Sequence, residues 1–180
     1  MSPALPGRQA PASPRAGFAR WRVPIGFAAA GLVLWLARPS IDTLQVGLPI
    51  AVAGQAVRIW AAGHLEKSRE VTTSGPYRFT RHPLYLGSTL MGAGLAVACS
   101  HWLVAALIAV YLGATLWTAI RTEEAYLRAT FGDAYDRYAD GGLPTAARRF
   151  SLERARRNKE YRAPLGLLAI GLYLIWKATG

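Results

Sequence analysis

The hydrophobic positions of this chain fall in long runs rather than in an alternating pattern. Apolar stretches occupy Val23 to Ala37, Leu44 to Gly63, Leu84 to Ser100, Trp102 to Ile120 and Ala163 to Trp176, and the charged residues are gathered between them. Because a helix needs about 20 predominantly apolar residues to cross a bilayer, this pattern predicts membrane-spanning helices. Trp35 and Ala37 do not make the small-x-small pattern of signal cleavage, so the first run is expected to be retained. Arg38-Pro39 ends it, and Asp42-Thr43 is a start signal for the second span. The last run has only 14 residues, but Pro164 near its start and Trp176-Lys177 at its end suit a short fifth span. The expected fold class is therefore all-α, an integral membrane bundle of about five transmembrane helices. Residues 1–19, rich in Pro, Ala, Gly and Arg, read as a disordered basic tail. Residues 20–145 read as the membrane core, and residues 146–180 as a charged helix from Arg148 to Arg162 followed by the fifth span.

The polar segments predict where a site forms. Only Ser100-His101 separates the third and fourth runs, so those helices must be antiparallel neighbours. The start of one at Pro83 and the end of the other near Arg121 then emerge on the same side. This brings Arg81-His82-Pro83-Leu84-Tyr85 together with Arg121-Thr122-Glu123-Glu124. Pro83 is pre-set as a first helical residue, and the free N–H groups behind it suit an anion or a polar cofactor. From Glu123 to Tyr138 the pattern predicts an interfacial helix broken near Phe131-Gly132. Two carboxylates at a helix C-terminus are unfavourable unless something cationic compensates them. Arg58, one turn from the end of the second span, is either a functional intramembrane charge or a snorkelling one.

Composition and charge narrow the class. Hydrophobic residues make up 52% of the 180 and charged residues 17%, an unusual balance for a soluble chain. The net charge of +11 sits in segments flanking the apolar runs, which points to anionic lipid headgroups and not to nucleic acid. With the N-terminus inside, 18 Lys and Arg lie on one side and two, Arg38 and Lys177, on the other. The positive-inside rule then turns the converged polar residues to the cytosol, in a multi-pass protein of the plasma or bacterial inner membrane. Cys99 is the lone cysteine, and His64, His82 and His101 are scattered, so no metal site is expected.

The ordered set Gly75-Pro76-Tyr77, Arg81-His82-Pro83-x-Tyr85-x-Gly87, Glu123-Glu124-x-x-Leu127, Phe131-Gly132 and Tyr135-x-x-Tyr138, with Arg58-x-Trp60-Ala61 upstream, resembles the isoprenylcysteine carboxyl methyltransferase and phospholipid methyltransferase superfamily. The resemblance covers residues 55–145. It implies a small integral membrane enzyme that uses S-adenosyl-L-methionine to methylate a lipophilic acceptor, such as a prenylated protein C-terminus or a membrane lipid. By motif, it implies cofactor contacts at Val71, Thr72, Tyr77, Arg81, His82, Pro83, Leu84, Tyr85 and Glu123. Arg69 stands where the family often has His. The roles are chemically sensible: Glu123 for the donor's ammonium, helix-start N–H groups or Arg81 for its carboxylate, Tyr77 or Tyr85 for its adenine or sulfonium. Arg121 corresponds to an arginine that approaches the acceptor, although it lies closer to the glutamate pair than in the prenylcysteine enzymes. His82 and Glu124 are the nearby groups able to take a proton from an acceptor that carries one. A second reading is an NADPH-dependent sterol-type reductase, whose related motif usually has Asn and Asp where this chain has Leu84 and Ser88.

Overall fold

A computed structural model describes residues 26, 28–67 and 69–180, with no strand among them. Residues 28–36 form helix α1. It is followed by α2 (Ile41–His64), a short 3-10 turn (Gly75–Arg78), α3 (Pro83–Cys99), α4 (Trp102–Phe131), α5 (Asp133–Ala139), α6 (Leu152–Arg157) and α7 (Arg162–Thr179). The basic tail and the beginning of the first apolar run lie outside the described residues.

Helix α2 starts on a reciprocal cap. The Thr43 N–H donates to Ser40 Oγ at 3.3 Å, and the Ser40 N–H donates to Thr43 Oγ1 at 3.0 Å. That pairing satisfies two donors a helix start leaves open. Helix α3 begins at Pro83 as expected and ends at Ser100, whose φ of 48° turns the chain directly into α4.

The α2–α3 pair is a seam of backbone against backbone. A Cβ added at Gly54 would sit 2.5 Å from Met91 N, and one at Gly94 would sit 2.3 Å from Ala51 N. Small residues are what allow such an approach where lipid surrounds the helices and dispersion supplies the attraction. Helix α4 packs on α3, and α7 packs on α2. The apolar cluster of Ala37, Leu44, Ala98, Cys99, Val104 and Leu174 gathers at one end of the bundle. There Lys177 Nζ donates to the carbonyls of Leu34 at 2.9 Å and Trp35 at 2.8 Å, satisfying groups that the end of α1 leaves open. The polar connector, α5 and α6 sit at the other end.

Helices α2 and α4 are long and apolar enough to cross a membrane, and α3 is a shorter apolar helix. Helix α4 exposes Trp102, Val110, Tyr111 and Trp117 along its length, a surface that lipid tails rather than water would cover.

Two boundaries differ from expectation. Helix α4 does not end near Ile120 but runs 30 residues to Phe131. The hydropathy falls at Arg121, but nothing there breaks a helix; the break comes at Gly132, with φ 49°. At about 45 Å, α4 is longer than the hydrocarbon layer of a bilayer is thick, and Glu123 and Glu124 lie within its last three turns. The glutamates are thus not at a helix C-terminus. The basic stretch 148–162 is not one helix: it is helical over Leu152–Arg157 and then only at Arg162, where α7 begins. Phe150 is held outside that helix, seated where any side chain at Gly63 would collide with its ring.

Candidate active site

The charged end of the bundle encloses a cavity of about 520 Å³. Its wall comes from α2 (Arg58, Ala62), the connector (Leu65, Glu66, Lys67, Glu70, Val71, Thr72, Tyr77, Arg81), α3 (Leu84, Tyr85), α4 (Thr122, Glu123, Tyr126, Leu127), α5 (Tyr138) and the turn before α7 (Asn158, Glu160). The connector is shaped by local chemistry. Gly75 has φ +59°, and a Cβ there would run into the His64 ring, so only glycine fits. His64 Nδ1 lies 3.2 Å from Ser74 Oγ, which pins the connector to the end of α2. The Tyr138 hydroxyl donates to the Tyr77 carbonyl at 2.8 Å and so fixes the 3-10 turn from the opposite wall.

Of the residues expected to hold a cofactor, Val71, Thr72, Tyr77, Arg81, Leu84, Tyr85 and Glu123 line this one cavity. The convergence of the third and fourth helices is direct, since the Tyr85 hydroxyl donates to Glu123 Oε2 at 2.5 Å. Three other lining carboxylates are paired with arginines, Glu66 with Arg154, Glu70 with Arg148 and Glu160 with Arg58. Glu123 has no ion-pair partner among the described residues, so its charge is turned to the cavity. Burial, with Glu123, Tyr138, Tyr85 and Glu160 nearby, pushes the Tyr77 hydroxyl far above the ordinary phenol range. Burial and the neighbouring Tyr135 push Tyr138 up to about 12, keeping it a donor at any working pH.

The remaining site residues stand off the cavity wall. Glu124 follows Glu123 on an unbroken helix and is rotated about 100° from it. Its Oε1 lies 3.1 Å from His82 Nε2 and 3.5 Å from Arg81, and its Oε2 lies 3.8 Å from Arg128. The His82 ring stacks on Tyr85 at 5.6 Å, so the His82–Glu124 pair buttresses the tyrosine that orients Glu123. Pro83 is fully buried behind α3's first turn. Arg121 is exposed, its guanidinium 4.5 Å from the Trp117 ring centre, which turns it away from the cavity toward the flank of α4.

Sequence reasoning missed the other side of the wall. Arg58 neither snorkels nor stands free. Its Nε donates to Glu160 Oε1 at 2.8 Å and its Nη2 to Glu160 Oε2 at 3.0 Å, while Gln55 Nε2 donates to Glu160 Oε1 at 3.1 Å. One signal was present: Glu160 is the sole acid between Arg154 and Arg162, and an intramembrane arginine needs a carboxylate.

Helical without strands over its described residues, with two helices long and apolar enough to cross a membrane and a tyrosine-lined polar cavity at its charged end, the chain falls in the class of small helical membrane proteins. Within that class the chain belongs to the phospholipid methyltransferase family, which matches residues 25–134. Over 121 residues it is 32% identical to the cobalt-zinc-cadmium resistance protein CzcN of Cupriavidus metallidurans, covering 62% of this chain and 55% of that one. Over 95 residues it is 33% identical to the protein-S-isoprenylcysteine O-methyltransferase of Schizosaccharomyces pombe, covering 51% of this chain and 40% of that one. A probable protein-S-isoprenylcysteine O-methyltransferase of Oryza sativa subsp. japonica is 31% identical over 114 residues, 55% of this chain and 60% of that one. The chain thus spans about half the length of the curated relatives it matches. No solved structure matches it. Among the described residues, no group of three or more His, Cys, Asp or Glu is arranged to hold a metal ion.

Proposed function

We propose that this protein is an S-adenosyl-L-methionine-dependent methyltransferase that acts on a lipophilic acceptor at the cytosolic face of a membrane. The observation that carries the reading is the unpaired Glu123 carboxylate, oriented by Tyr85 on the wall of a cavity that also presents Tyr77, Thr72, Val71 and Arg81. The donor set suits that cofactor: Glu123 for its ammonium, Arg81 for its carboxylate, and the rings of Tyr77, Tyr85 and Tyr126 for adenine and sulfonium. When bound, the cofactor supplies a methyl group on a positively charged sulfur, a good leaving group. The chain's own residues therefore contribute mainly by positioning. Tyr85 holds Glu123, Tyr138 holds the Tyr77 segment, and the His82–Glu124 pair supports Tyr85 from behind.

The acceptor proposed is an anionic oxygen on an amphiphile, of the isoprenylcysteine carboxylate kind. His82 and Glu124, the groups named as bases, are engaged with each other off the cavity wall, which favours a nucleophile that arrives without a proton. The glycines of α2 and α3 leave no gap for it, because Gly47, Gly54, Gly87 and Gly94 close the seam they line. The cavity wall supports a lateral approach between α4 and the turn before α7, where Thr122, Tyr126 and Asn158 face the same space. The cytosolic orientation rests on the side on which the basic residues gather. The deciding experiment is direct binding to the purified protein. S-adenosyl-L-methionine should bind and NADPH should not; the opposite preference would install the reductase reading in its place.

A further inference from the structure

Residues 146–180 lie beyond the stretch that matches the family, yet the segment 151–160 is built into the cavity. A helix end leaves its last carbonyls without intrahelical partners. Here the segment supplies them. The Ser151 N–H donates to the Gly63 carbonyl at 3.1 Å and Arg154 Nη1 donates to it at 2.6 Å. Asn158 Nδ2 donates to the carbonyls of Ala62 at 2.9 Å and Leu65 at 3.0 Å. Glu160, 7% exposed, then grips Arg58 through both carboxylate oxygens. Arg58 reaches on to α3, donating to Ser88 Oγ and to the Leu84 carbonyl at 3.5 Å. One carboxylate therefore ties the approach to α7, the end of α2 and the first turns of α3 together at the cavity wall.

We infer that this C-terminal strap is a working part of the donor site, with Glu160 as a positioning residue that acts through Arg58. The inference rests on the reading of the cavity as the donor site. Glu160 fixes Arg58 against α3 and occupies its charge. Without it Arg58 is a half-buried cation facing a cavity whose unpaired carboxylate is Glu123, the group assigned to the donor's ammonium. Glu160 thus keeps Arg58 from competing for Glu123.

The test is Glu160→Gln beside Glu160→Asp, with Cys99→Ala as a control that removes buried atoms at the far end of α3. In ligand-free protein, Glu160→Gln should speed amide exchange in 65–72 and 84–88 and leave α4 and α7 unchanged. It should raise the Kd and KM for S-adenosyl-L-methionine about tenfold with a smaller change in kcat, and Glu160→Asp should recover part of the loss. Cys99→Ala should lower the melting temperature without moving donor affinity. The proposal is overturned if Glu160→Gln leaves exchange in both segments as in the wild type, or if Cys99→Ala reproduces its loss of donor affinity at equal Tm. A wild type that binds no S-adenosyl-L-methionine refutes the functional reading instead, and the exchange measurement still decides whether Glu160 organises the wall.

Discussion

The α2–α3 seam sets the geometry of the site, and Gly94→Ala measures how tightly. A Cβ at residue 94 would stand 2.3 Å from Ala51 N, 2.6 Å from the Gly47 carbonyl and 2.9 Å from Ala51 Cα, where ordinary contact begins at 3.4 Å. All three neighbours are backbone of α2, so no side chain can swing aside. The helices must part by about 1 Å, which forfeits a quarter to a half of the dispersion attraction of each contact pair along the seam. Overpacking of this kind costs about 1–3 kcal/mol, and three backbone clashes argue for the upper end. Alanine returns about 1 kcal/mol through helix propensity, leaving a net loss of about 2 kcal/mol. For a chain of this size that is a fall in Tm of about 4–8 °C. Gly113→Ala on α4 is the matched control, since a Cβ there meets nothing within 4 Å. It keeps the propensity gain without the clash and should leave Tm unchanged or raise it by about 2–4 °C. Thermal unfolding of both variants in one detergent decides. Equal shifts, or a larger loss for Gly113→Ala, would mean that the backbone contact between α2 and α3 does not carry the packing.

Glu123→Gln keeps the shape of the wall but removes the charge turned to the cavity. Donor affinity should fall by about 1.5–3 kcal/mol, roughly 10–150-fold, with little change in Tm, as read by titration calorimetry in detergent. Partial desolvation pushes the Glu66 carboxyl up, but the Arg154 hydrogen bond and the charges of Arg157, Arg154 and Arg148 outweigh it and hold the group below its ordinary 4.5. A carboxyl depressed in the folded state contributes stability that is present above pH 4.5 and is lost as pH falls through the lower folded value. The difference in Tm between wild type and Glu66→Gln should therefore be constant at neutral pH and shrink in acid; a difference that grows on acidification contradicts the Arg154 pairing. For lateral entry, acceptors sharing one carboxylate should gain in kcat/KM as the alkyl or prenyl chain lengthens, each buried CH₂ offering about 0.8 kcal/mol before losses. Equal values for short water-soluble and long-chain acceptors would move the acceptor's route to the cytosol.

The contrast between Glu123 and Glu160 shows which parts of the site a sequence can carry. Glu123 was legible because the two-residue turn at Ser100-His101 leaves α3 and α4 no freedom but to run back along each other. The far ends of the two helices must then come out on the same side, and there Tyr85, 15 residues before the turn, meets Glu123, 22 residues after it. The place of Glu124 off the cavity wall was not legible, for the converse reason. Hydropathy reports where the solvent changes, not where a helix stops, so the fall at Arg121 looked like a terminus, whereas the backbone continues to Gly132. On a continuing helix one residue of offset is about 100°, enough to move a carboxylate from the cavity wall to its outer support. Glu160 is joined to Arg58 across 102 residues of chain with no short turn to fix the register. The approach of α7 to α2 is set by side-chain contacts such as Asn158 and Arg154 on the end of α2, and these have no periodicity to read. What the chain did carry was the unsatisfied half of the pair. A charge at Arg58 inside an apolar run demands a carboxylate wherever the fold brings one, and the demand is local even though the answer is not.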